Sequence, residues 1–202
     1  MLVVPPGKTV ANLIESYAQS GLVEFAEPDH ARQLALASND PRYTDGTLWG
    51  LNNTGQGGGV WDADIDATES WDVLNSASNI VVAVIETGIR RTHKDLITNI
   101  WINPVDSSYG WNALADTNNL ADDEGHGSLV SRVLGATGNN RKGVVGVAWR
   151  VQIMGCQCFD AMKNGFASDI IEGIEFARTN GAHIFNAILS GTAFSASLSK
   201  SV

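Results

Sequence analysis

The stretch 81-VVAVIETGI-89 decides how the rest of the chain is read. Its apolar residues run on without polar alternation, which predicts a strand buried on both faces, as in a parallel sheet. The run ends on an acid, Glu86, followed by a Thr-Gly turn. Open α/β sheets place their sites at the carboxyl ends of strands, so Glu86 is a candidate for chemistry.

Outward from this strand, helical and extended segments alternate. ATESWDVLN (67–75) predicts a short helix, and an Asn- and Asp-rich loop spans roughly 97–123. HGSLVSRVLGAT predicts a helix that starts at a glycine and ends at Gly135, and VGVAWRVQIMGCQCF predicts one or two strands. ASDIIEGIEFARTNG predicts an amphipathic helix, and 183–189 a second central strand. Alternation of this kind implies an α/β fold, a three-layer parallel sheet with helices on both faces. At the N-terminus, TVANLIESYAQ (9–19) has helical spacing with Thr9 as N-cap, and LVEFAEPDH (22–30) predicts a strand closed by Pro28. A polar connection follows, with a boundary near residue 38.

Composition narrows the function classes. Hydrophobic residues make up 44% and charged residues 17%, which suits a globular domain. A net charge of -9 argues against nucleic acid or an anionic membrane as partner. No apolar run approaches the roughly 18 residues of a membrane span. The opening MLVVPPGKTV does not read as a signal peptide, because its apolar run stops at Pro-Pro. Cys156 and Cys158 are spaced C-x-C on a strand, which puts both on one face; they read as small apolar fillers.

Two further segments join Glu86. In 122-DDEGHGSLVSRVLGA-136, His126 heads a helix between two glycines. In 181-GAHIFNAILSG-191, a strand ends where it can lie beside a bound peptide. VAVIETG, GHGSLVSR and IFNAILSG, in this order, resemble the acid strand, histidine helix and substrate-binding strand of the subtilisin-like serine peptidases. WGLNNTGQ, ADIDATESWD and KGVVGVAW resemble segments that flank those blocks, and LVEFAEPDH resembles the last strand of the family's inhibitory propeptide.

The resemblance implies endopeptidase activity by serine acyl transfer, with Glu86 as acid, His126 as base, and Ile188, Leu189 and Ser190 along the substrate. It implies residues 1–38 as a propeptide remnant and 39–202 as the N-terminal two thirds of a catalytic domain, incomplete at the C-terminal end. It implies secretion, and structural calcium held by Asp40, Asp95 and Asn140, with backbone carbonyls around 138–144 completing the shell. A second calcium insert is not expected, because INPVDSSYGW runs straight through its place.

Departures from the family pattern are plain. The family's second histidine is Leu129, its small Ala-Gly pair is Ser131-Arg132, Ile188 replaces a small residue and Ser190 a glycine. Glu86 stands where the family has aspartate and reaches about 1.5 Å further, one extra C–C bond. The nucleophile block G-T-S-M-A and the oxyanion A-G-N motif have no counterpart. Ser195, Ser197, Ser199 and Ser201 follow the substrate strand too closely to be the nucleophile. The chain by itself is therefore expected to be inactive, either a part of a peptidase or a non-catalytic binding scaffold. A truncated sheet would expose an edge open to self-association.

Other features read as structural. His93 and His183 are expected to be structural, and the run Asp122-Asp123-Glu124 to be a solvated loop. The glycines of 134-LGATGNNRKG-143 invite a nucleotide-binding reading, but a helix precedes them and a strand follows, the reverse of that motif.

Overall fold

The computed structural model describes residues 3–28, 36–190 and 195–201, and divides the chain into Met1–Ala35 and Leu36–Val202. The first unit holds helix α1 (Val10–Ser20), with Thr9 as N-cap in a capping box with Asn12 and Gly21 as left-handed C-cap. The helix buries no residue. The strand expected over 22–30 does not form within the described residues 22–28. No neighbouring strand takes up its backbone groups there, and Leu22 and Phe25 stay exposed.

The second unit runs α2 (Pro41–Thr44), α3 (Ala67–Val73), β1 (Ser76–Glu86), β2 (Gly110–Asn112), α4 (His126–Gly135), β3 (Arg150–Gln157), α5 (Ala167–Thr179), β4 (Ile184–Ala187) and α6 (Leu198–Ser201). The four strands form one parallel sheet in the order β2-β3-β1-β4. The period of two along β1 explains the layers. Val81, Ala83 and Ile85 turn to one face, where Ile170, Ile174 and Ala177 of α5 cover them. Val82 and Val84 turn to the other, packed with Val151 and Ile153 and covered by Val130 and Leu134 of α4. A third cluster, Leu51, Ala67, Trp71, Val145 and Trp149, ties the segment before β1 to the same unit.

Two expectations need correction. β4 is not central: among the described residues β1 is its one neighbour, and Ile184 is half exposed. Residues 145–159, expected to hold one or two strands, form one. The loop over 97–123 contains β2, a three-residue strand whose Gly110 lies so close to the Gly155 carbonyl that a Cβ would overlap it.

Cys156 and Cys158 lie in the α5-side cluster, both fully buried and free. Burial pushes both thiols up, Cys158 to about 12 with the nearby charges of Asp169 and Glu172 adding to it.

Candidate active site

β1 carries Glu86 to the carboxyl edge of the sheet, where its side chain is 5% exposed. α4 begins at His126, directly beside it. The contact is possible because residue 127 is glycine: a Cβ there would overlap the Gly88 carbonyl oxygen and crowd Glu86 Cβ. Glu86 Oε2 lies 2.9 Å from His126 Nδ1 and also accepts the Thr87 N–H at 3.2 Å. The longer acid therefore still reaches the imidazole. His126 remains 35% exposed at its side chain.

The amides at the start of α4 are each taken by a side chain from outside the helix. Asp122 Oδ1 accepts from Gly125 at 2.8 Å, Glu124 Oε2 from His126 at 2.9 Å, Thr87 Oγ1 from Gly127 at 3.0 Å and Asp122 Oδ2 from Ser128 at 2.9 Å. A helix N-terminus offers unpaired donors and a favourable field for carboxylates, which is why an acidic run belongs there. The expectation of a solvated loop thus fails for Asp122, which is buried. Glu124 is half-buried and pairs with Lys163 at 3.1 Å; Asp123 alone is exposed. No group of three or more His, Cys, Asp or Glu side chains suited to a metal occurs among the described residues.

The other departures settle into place. Ser131 is fully buried on α4 and takes the close-packed position, while Arg132 turns aside and keeps a buried Nε without a partner among the described residues. Leu129, Arg132, Val133, Ile184, Asn186 and Ile188 line, with His126, a largely apolar groove of about 1060 Å³. Ile188 is 62% exposed there, while Leu189 and Ser190 lie beyond the end of β4, also exposed. His183 Nδ1 accepts the Val81 N–H and His93 Nδ1 the Asp95 N–H, so both serve the backbone. The tail serines do not approach His126: Leu198 of α6 packs on the α5 side of the sheet, opposite α4.

Asp40, Asp95 and Asn140 gather elsewhere. Asp40 is fully buried and accepts the N–H groups of Asn139, Asn140 and Lys142. Asp95, also buried, accepts from the Val144 N–H at 3.2 Å and the Asn140 side chain at 3.5 Å. Gly143 presses on Asp95 so closely that a Cβ would overlap its carboxylate. Lys142 reaches this group through its backbone, and its residue is exposed.

The parallel α/β sheet thus presents at its carboxyl edge an imidazole bonded to a carboxylate, the geometry by which an acid orients a base. Comparison with known proteins gives the family: residues 77–200 match the subtilase family model, and the chain belongs to that family. It is 29% identical over 186 residues to the cell wall-associated protease of Bacillus subtilis (strain 168), covering 91% of this chain and 20% of that protein. It is 30% identical over 179 residues to the thermophilic serine proteinase of Bacillus sp. (strain AK1), covering 88% of this chain and 39% of that protein. A solved protease structure from Pseudoalteromonas arctica PAMC 21717 superimposes with a TM-score of 0.62 at 25% identity, over 82% of this chain and 55% of that one. The chain thus spans well under two thirds of these relatives.

Proposed function

We propose that the chain supplies the acid and the general base of a subtilisin-like serine endopeptidase. The observation that carries this reading is the 2.9 Å contact between Glu86 Oε2 and His126 Nδ1. An ionised carboxylate only accepts, so the imidazole proton belongs on Nδ1 and Nε2 keeps its lone pair. In acyl transfer that lone pair takes the proton of a serine hydroxyl as the oxygen attacks the scissile carbonyl. Glu86 then stabilises the imidazolium, which passes its proton to the leaving amine.

His126 has no hydrogen bond to a serine hydroxyl among the described residues; its ring bonds Glu86 and its backbone N–H bonds Glu124. The 202-residue polypeptide on its own is therefore expected to leave peptides intact. Incubation with a fluorogenic peptide and a fluorophosphonate probe checks this. No labelling is expected, and labelling that His126→Ala abolishes would contradict it.

Polypeptide is the substrate class, with Ile188, Leu189 and Ser190 as its wall, and residues 1–38 are read as part of an inhibitory propeptide. A site of action outside the cell is supported by the name of the Bacillus subtilis relative. No helix among the described residues is long and apolar enough to cross a membrane. Self-association through β4 would show as a dimer in light scattering.

Calcium is proposed at Asp40, Asp95 and Asn140. Two buried carboxylates, with no basic side chain bonded to them among the described residues, beside the Asn140 side-chain amide, offer the hard oxygen donors that calcium takes. Bound there, the ion would tie 40 and 95 to the 138–144 loop. A melting temperature that rises with added calcium, and no longer does so in Asp95→Asn, is the expected outcome.

A further inference from the structure

We infer that Asp122 is a positioning residue for the acid–histidine pair, acting through the hydroxyls of Thr87 and Ser128. The inference rests on the pairing of Glu86 with His126 and not on peptide hydrolysis.

Asp122 is buried beside the N-terminus of α4, and both its oxygens are fully engaged as acceptors. Oδ1 receives Thr87 Oγ1 at 2.9 Å and the Gly125 N–H at 2.8 Å. Oδ2 receives the Ser128 N–H at 2.9 Å and the Ser128 hydroxyl. Gly125 is the N-cap of α4 and has no side chain, so Asp122 caps the helix from three residues upstream.

The consequence for the pair follows from proton counting. A hydroxyl has one proton. Thr87 and Ser128 each give theirs to Asp122, so each turns lone pairs toward other donors. Thr87 Oγ1 accepts the Gly127 N–H at 3.0 Å, and Ser128 Oγ accepts the Arg90 N–H at 2.9 Å. The first contact binds the turn after β1 to the second residue of α4; the second binds the chain after Gly88 to the same helix. Thr87 also donates its own N–H to Glu86 Oε2, the oxygen that faces His126. One carboxylate thereby fixes the polarity of two hydroxyls that clamp the acid's turn onto the base's helix. Asparagine has the same size, but its amide nitrogen cannot accept, so two of the four bonds would be lost and one of the two hydroxyls freed to turn.

The test uses ¹⁵N-histidine-labelled 202-residue chain and reads the His126 imidazole by NMR. In the parent one tautomer is expected, with hydrogen on Nδ1. In Asp122→Asn we expect averaging of the two ring nitrogens and exchange of the Nδ1 proton about tenfold faster, the scale of a lost charged hydrogen bond. Near-UV circular dichroism and amide protection of β1 and β3 should stay those of the parent. An imidazole pattern unchanged in Asp122→Asn overturns the inference. Should that variant fail to fold, Thr87→Val removes one arm alone: loosening of the imidazole, restored in Thr87→Ser, supports the inference, and an unchanged pattern overturns it. Glu86→Gln separates the two levels. If that variant keeps the parent pattern, the acid–histidine pair itself is absent, whatever Asp122→Asn does.

Discussion

β1 and β4 have much the same sequence texture and opposite surroundings. Both carry apolar residues into one parallel sheet and are paired to each other. β1 is buried from Val81 to Glu86, with a strand on each side and a helix on each face. β4 has no buried residue, and β1 is its one neighbour among the described residues. An apolar run states what a strand needs; the elements around it decide whether the need is met. The candidate pair sits on the buried strand, which holds Glu86 2.9 Å from His126.

Truncating the core of each strand gives the widest separation between them. Ile85→Ala, at a fully buried site, should cost about 2–5 kcal/mol in urea unfolding. Ile184→Ala, at a half-exposed site, should cost under about 1 kcal/mol. Equal losses would break the comparison. Next in size is Gly127→Ala, which adds a methyl against the Gly88 carbonyl and Glu86. It should destabilise by about 1–3 kcal/mol and separate acid from base, seen as loss of the Nδ1 proton signal.

A smaller effect sharpens how dry the β1–β3–α5 side is. With Cys158 raised from an ordinary 9.0 to about 12, it should resist iodoacetamide at pH 8 in the native protein and react in denaturant. The sign of the linked stability follows. Above about pH 9 the unfolded chain loses thiol protons that the folded chain keeps, so stability falls as pH rises through that range. Fast alkylation of the native thiols would mean that this layer opens readily.

These contrasts show what could be read beforehand. Glu86 and His126 were legible because each sits in a local pattern, a buried run ending in an acid and a glycine-flanked helix start. α1, α3, α4 and α5 were legible from periodicity and glycine stops. β2 was not, since three residues carry no period and Gly110 pairs only through its close approach to Gly155. The edge position of β4 was not, because an apolar pattern is the same at an edge and in the middle. Asp122 was missed for a physical reason: consecutive acids look solvated unless the amides of the helix that gathers around them are counted. The dense ring of Gly125, Ser128 and Thr87 around Asp122 could have been suspected from the acid run placed just before a helix start that cannot cap itself.

The central claim is that β1 and α4 hold a general base ready for a serine. Its most direct measurement is the proton NMR spectrum of the 202-residue chain with ¹⁵N-labelled histidine. The account expects a low-field proton on His126 Nδ1, an unprotonated Nε2, and loss of that proton signal in Glu86→Gln. A His126 protonated on Nε2 instead, or a Nδ1 signal indifferent to Glu86→Gln, would contradict it.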